Sequence, residues 1–212
     1  ARKYDDQFTI DVFQAGSGTS SNMNVNEVLS NIACIHLGGK PGDRELVHPI
    51  DDVNKGQSTN NVFPSGVKVA ASERAHLVQE SMRDLEAALH KKELEFAHVI
   101  KSGRTHLQDA VPITLGQEFG AYAHALEKAR LRIEDARQHC KALGVGGNAV
   151  GTGLNTTIDF RRRIIEKLNE FTGEKYHVAE NGIEITQFAT DIAEMAGALK
   201  FLALDLFKIC ND

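Results

Sequence analysis

Two stretches of the 212-residue chain are long and regular enough to limit its fold before anything else is considered. Over residues 65–99, Val67, Ala70, Ala71, Ala75, Leu77, Val78, Met82, Leu85, Leu89 and Leu94 recur at helical spacing. Over residues 113–143, Leu115, Phe119, Tyr122, Ala125, Leu126, Ala129 and Ile133 do the same. Helices of that length exceed the ordinary globular range and predict elongated helices packed nearly antiparallel in a bundle. Shorter helical patterns cover residues 23–37, with Val25, Val28, Leu29, Ile32, Ala33 and Ile35 on one face, residues 160–171, and residues 183–210, with Ile192, Met195, Leu199, Leu202 and Leu206. Gly38, Gly39 and Gly173 stop the first two of these. The chain has no Trp, few Pro and long Ala/Leu/Glu/Lys-rich stretches, so the expected class is all-α.

With 42% hydrophobic residues there is ample material for a core. A net charge of -5 argues against broad nucleic-acid or anionic-membrane binding, which needs a clustered Lys/Arg surface. No apolar run approaches the ~20 residues that cross a bilayer, and no charged-then-apolar signal segment opens the chain. A cytosolic or organellar protein is expected. Cys34, Cys140 and Cys210 are far apart and outside any Cys-x-x-Cys spacing, as reduced, buried thiols would be. None of the 9 histidines forms a His-x-x-x-His or His-x-x-Glu-His pair that would put two ligands on one helix face, so no metal is expected. No cofactor is expected either.

The chemistry must lie in the polar connections. Residues 101–119 contain Gly103 just before Arg104, Thr105 and His106, and Pro112 suits the first turn of the following helix. The segment reads as a polar loop between helices, aimed by the elements at its ends. His106 is its natural proton carrier, because both forms of imidazole are reachable near neutral pH. Arg104 and Asp109 are expected to brace the loop by pairing. Residues 16–22, Gly-Ser-Gly-Thr-Ser-Ser-Asn, either cap the next helix or hold a carboxylate or phosphate among hydroxyls and amides. They match neither a Walker loop nor a dinucleotide fingerprint. The polar run at residues 56–61 is open to the same two readings. Residues 144–153 hold five glycines and cannot favour a helix, so the backbone there turns or closely approaches either another subunit or a small ligand.

Taken together, residues 16–28 (Gly-Ser-Gly-Thr-Ser-Ser-Asn-Met-Asn-Val-Asn-Glu-Val), 48–54 (His-Pro-Ile-Asp-Asp-Val-Asn), 57–61 (Gln-Ser-Thr-Asn-Asn), 103–110 (Gly-Arg-Thr-His-Leu-Gln-Asp-Ala) and 149–155 (Ala-Val-Gly-Thr-Gly-Leu-Asn) resemble the class II fumarase/aspartase family. The motifs stand in the family's order over nearly the whole chain. The resemblance implies a long-helix bundle preceded by the end of a smaller N-terminal domain, with residues 1–60 in that domain and residues 61–212 in an incomplete central bundle. It further implies a homotetramer in which several subunits build each active site around a small dicarboxylate. Family members have more sequence on both sides, including a Gly-Ser-Ser loop whose serine is proposed as the base, so these 212 residues alone are expected to be inactive.

Within the family, Ser17 and His48 lean towards fumarases, whereas Thr59 and the Ala-Glu-Asn-Gly-Ile-Glu segment at residues 179–184 look more like aspartases. Fumarase chemistry adds water to fumarate in the anti sense to give (S)-malate. Removing the C–H proton beside a carboxylate piles charge on that carboxylate, and fixed donors must stabilise the resulting aci-carboxylate. Carried over by motif, Ser17, Gly18, Thr19, Ser58, Thr59, Asn60 and Thr105 would bind the substrate, and His106 would hold or relay a proton. His48, Pro49, Ile50 and Asp51 correspond to a secondary anion site, where Ile50 replaces an Asn; Asn61 replaces an Asp beside the Ser-Thr-Asn motif. A helical module recruited to an assembly role is the non-enzymatic alternative, and intact Thr105 and His106 speak against it.

Overall fold

The computed structural model describes residues 3–13 and 18–212. Helix α1 (Thr19–His36) is followed by a π-helical turn (Pro49–Val53) and the long helix α2 (Thr59–Glu95). A hairpin of β1 (Ile100–Thr105) and β2 (Gln108–Thr114) then leads into α3 (Leu115–His139). The two-residue strand β3 (Ala142–Leu143) pairs in parallel with β4 (His177–Val178), on either side of α4 (Ile158–Thr172). Helices α5 (Gly182–Gln187) and α6 (Thr190–Asn211) complete the described chain. The all-α, long-helix expectation holds, and the strands are short two-stranded additions.

The structure departs from the expected elements in several places. Residues 100–114 form an antiparallel hairpin instead of a loop between helices. Pro112 lies in β2 opposite Ser102, and the first turn of α3 is set by Thr114, whose side chain accepts from the Gln117 amide while the Gln117 side chain caps Thr114 in return. The last helical stretch is broken between α5 and α6, and α2 starts before Pro64, which sits inside it. Cys34 and Cys140 are buried, but Cys210 is exposed at the end of α6.

The chain forms two compact units. The first comprises residues 1–69 and 141–189. Here the inner stripe of α1 is Asn22, Asn26, Ser30 and Cys34, while Val25, Leu29 and Ile35 of the apolar pattern are exposed. The polar stripe has a clear job: the Ser30 hydroxyl donates to the Val47 carbonyl (2.6 Å) and the Cys34 thiol to the Asp43 carbonyl (3.2 Å), so it satisfies the irregular connection that follows. A small apolar cluster of Leu143, Val145, Ile165 and Tyr176 lies around α4 and the β3–β4 pair.

The second unit comprises residues 70–140 and 190–212. Its core joins Ala75, Met82 and Leu89 of α2, Ala123, Leu126, Ala129, Ile133 and Ala136 of α3, and Met195, Ala198 and Leu202 of α6. These positions follow the alternating three- and four-residue steps of helices packed at a shallow angle. Gln79 and Glu86 share the α2 seam; both reach Arg130, the first donating to its carbonyl (3.3 Å) and the second accepting from its Nε (2.8 Å).

Candidate functional site

In the first unit, separate polar segments are tied together by side chains. Gly18, before α1, has φ of 103°, and a Cβ there would run into the Phe63 ring, so glycine is required twice over. One turn on, Asn22 is 5% exposed and donates through Nδ2 to Thr59 Oγ1 (3.0 Å) and Asn54 Oδ1 (3.2 Å). Asn26 donates to the same Asn54 oxygen (3.0 Å), and Asn54 Nδ2 donates to the Gln57 carbonyl (3.2 Å). The start of α2 is shaped by its own residues: Asn61 Oδ1 accepts from the Ser58 amide (2.9 Å) and Ser58 Oγ from the Asn60 amide (3.2 Å). A carboxylate at residue 61 could accept that amide equally well; what Asn61 adds is a buried Nδ2 with no partner among the described residues.

Asn60 Nδ2 donates to the Ala149 carbonyl (2.8 Å), which joins the glycine-rich segment to the same cluster. That segment approaches its surroundings as its composition demanded: a Cβ on Gly151 would collide with the Gly182 carbonyl, and one on Gly153 with the Arg161 guanidinium. Arg161 Nε also donates to the Gly146 carbonyl (3.1 Å), so the segment is packed within the unit. Ser58 precedes, and Thr59 and Asn60 open, a 37-residue helix, where the helix dipole favours a negative ligand. Thr19 opens α1; Ser17 lies outside the described residues.

His48 serves the turn after it. Its Nδ1 accepts from the amides of Ile50 (3.3 Å) and Asp51 (3.1 Å), while its own amide donates to Asp52 Oδ2 (2.7 Å). Pro49 is buried, and Ile50 presents its side chain to solvent.

The second unit carries Thr105 and His106 on the hairpin. His106 and Leu107 form the two-residue turn with φ of 50° and 59°, the left-handed sign that tight hairpin turns need. Gly103 faces a bulge, because Ser102 pairs with Pro112 but Arg104 with Asp109; a Cβ on Gly103 would lie 2.9 Å from the Val111 carbonyl. Arg104 and Asp109 pair across the strands (3.4 Å), the bracing expected of them. Residues 104–112 are all exposed, so the turn that carries His106 projects from the unit. Sequence reading missed Asn22, Asn26 and Asn54 as the ties between motifs; for Asn22 and Asn26 the signal was the polar residues every fourth position in α1.

Among the described residues no group of three or more His, Cys, Asp or Glu side chains is placed to hold a metal ion, and no helix is long and apolar enough to cross a membrane.

A family model described as "Lyase" matches residues 1–212. The chain belongs to this family and, by its relatives, to the fumarase/aspartase superfamily. It is 46% identical to an aspartate ammonia-lyase of Helicobacter pylori, over 99% of this chain and 45% of that protein. It is also 46% identical to the mitochondrial fumarate hydratase of Mus musculus, over 99% of this chain and 42% of that one. Among solved structures, a class II fumarase from Schistosoma mansoni superposes with a TM-score of 0.95 at 35% identity, covering 99% of this chain and 47% of that chain. A Brucella melitensis protein described as a fumarate lyase:delta crystallin bound to cobalt gives 0.94 at 43% identity, covering 98% and 45%. The chain thus spans less than half the length of these relatives.

Proposed function

We propose that the full-length protein containing this chain is a class II fumarate hydratase, interconverting fumarate and (S)-malate by anti addition of water through an aci-carboxylate intermediate. The observation that carries this reading is the joining of Asn22, Asn54, Thr59, Asn60 and Ala149, which come from four separate family motifs, by side-chain hydrogen bonds at the start of α2. Hydroxyls and amides held in advance, at the positive end of a long helix, stabilise charge growing on a carboxylate without reorganising. In this reading Ser17, Gly18, Thr19, Ser58, Thr59, Asn60 and Thr105 grip the dicarboxylate and the departing oxygen. His106 holds or relays a proton. No residue of the 212 is assigned as the base that removes the C–H proton.

As the family resemblance implies, residues 1–60 finish an N-terminal lyase domain, residues 61–212 belong to the central helical domain, and the protein works as a homotetramer in the cytoplasm or mitochondrion. The projecting, exposed hairpin suits an active site shared between subunits. No step in this scheme calls for a cofactor. The His48 to Asp51 secondary anion site belongs to the same resemblance, with Ile50 in place of its Asn.

Aspartate ammonia-lyase activity is the second reading, favoured by Thr59, by residues 179–184 and by the 46% identity to the Helicobacter enzyme. The ultraviolet absorbance of fumarate separates the two when the full-length protein is given malate or aspartate. Malate is expected to yield fumarate, and His106→Asn is expected to lower kcat by ~10²–10⁴-fold while the fold persists. Fumarate released from aspartate alone would move the assignment to the second reading, and unchanged turnover in His106→Asn would remove His106 from the chemistry.

A further inference from the structure

The hairpin that carries His106 is only two strands wide, and such a ribbon has little stability of its own. Its outer half finds no support within the unit: residues 104–112 are exposed, and a cleft of about 790 Å³ lies between the hairpin and Lys208, Asn211 and Asp212 at the end of α6. Within the unit the hairpin is held at its base. There Lys101 Nζ donates to both carboxylate oxygens of Glu118, each at 2.7 Å. Glu118 lies in the first turn of α3, where the helix dipole favours its charge, and α3 is anchored in the apolar core through Ala123 and Leu126. Beside this pair the Leu115 amide donates to the Val99 carbonyl (2.8 Å).

We propose that Lys101 and Glu118 are positioning residues for His106, the pair acting as the tether that fixes the angle of the hairpin on α3. This proposal rests on the reading of His106 as the proton carrier. Lys101 stands five residues from His106, roughly 17 Å along an extended strand, so the hairpin acts as a lever. A tilt of about 4° at the base moves the tip by ~1 Å, a displacement that can cost on the order of 10²-fold in rate. Both side chains are only partly exposed, 33% and 27%, which keeps the pair less screened than the open Arg104–Asp109 contact at 64% and 77%.

The test uses the full-length protein with Lys101→Met, Lys101→Arg and the double variant Lys101→Met/Glu118→Gln. Because a guanidinium can also grip a carboxylate with two donors, Lys101→Arg is expected to keep near wild-type kcat. Lys101→Met is expected to lower kcat by ~10–100-fold with KM within about threefold, since aim is lost while the substrate's own donors remain. The double variant, which leaves no lone charge and guards against misfolding of the single one, is expected to lose no more than Lys101→Met. A kcat for Lys101→Met equal to wild type, or equal damage in the Arg and Met variants, overturns the proposal. Amide hydrogen exchange at residues 104–110 reads the tether independently of turnover: it should rise in Lys101→Met and not in Lys101→Arg. Unchanged exchange in all variants rejects the tether even if the enzyme's substrate proves to be another. Loss of the catalytic reading instead shows as a wild-type protein that turns over neither malate nor aspartate.

Discussion

Along α1 the side chains turned inward are Asn22, Asn26, Ser30 and Cys34, whereas along α3 they are Ala123, Leu126, Ala129, Ile133 and Ala136. Both helices follow an amphipathic pattern, but the first uses its inner face to hold other chain segments by directed hydrogen bonds and the second to exclude water. Directional bonds fix position at modest net stability, because each replaces a bond to water. Apolar burial fixes little direction and supplies most of the stability. The unit with the polar stripe holds the proposed carboxylate donors other than Thr105, and the unit with the apolar seam carries the hairpin with Thr105 and His106. Each helix therefore suits what its unit presents.

The sharpest way to break this comparison is to damage both stripes. Leu126 is fully buried in the three-helix core, and Leu126→Ala is expected to destabilise by ~2–5 kcal/mol, read from urea unfolding. Asn54→Ala removes the acceptor shared by Asn22 and Asn26 and is expected to cost ~1–3 kcal/mol. Its effect on turnover should nevertheless exceed that of Leu126→Ala when both are assayed well below their unfolding transitions, because Asn22 also holds Thr59. Equal stability losses with unchanged turnover for Asn54→Ala would mean that the polar stripe is ordinary packing.

How much of this was legible depends on what a pattern can report. The long helices were visible because their apolar residues repeat over many turns, and the lyase motifs because their order is distinctive. Periodicity shows that two faces differ without saying which face is inside this chain, and for α1 the apolar face of Val25, Leu29 and Ile35 is the exposed one. The hairpin was hidden for a different reason. Its turn is His106–Leu107, not the Asn-Gly type that announces left-handed residues, and Pro112 mimicked a helix start. The glycine-rich segment was expected to turn or to approach another subunit or a small ligand; the neighbours it meets, Gly182 and Arg161, belong to the same chain and are set by tertiary structure alone. For the site, residue types were visible and the ties among Asn22, Asn54 and Thr59 were not, since those bonds span more than thirty residues.

A smaller perturbation sharpens the polar side of the comparison. Ser30→Ala removes one hydroxyl whose partner, the Val47 carbonyl, loses its bond, and ~1 kcal/mol is expected in urea unfolding. A loss well below that would mean that the carbonyl finds water.

Charge on the rim of the apolar unit should give the smallest effect, and pH can read it. His139, at the end of α3, pairs with Glu194 of α6 at 2.7 Å, and that hydrogen bond raises its pKa above the ordinary 6.5. A raised folded value means that folding favours the protonated form, so the contribution is fully present below the unfolded pKa and fades as pH rises through the folded one. The nearby Glu134 behaves oppositely: burial alone would raise its pKa, but hydrogen bonds from Arg137, Gln138 and Gln79 outweigh burial and hold it at about 2. Its contribution is therefore complete above the ordinary carboxylate range and is lost only as pH falls towards 2. Above the ordinary carboxylate range the Glu134 contribution is constant, so His139→Gln should flatten part of the slope of stability against pH from the ordinary histidine value upward, and change stability least where His139 is already neutral. Because the pair is largely exposed, raised salt should flatten the wild-type slope as well. An unaltered slope in His139→Gln would show that the His139–Glu194 pair adds nothing to the joining of α3 and α6.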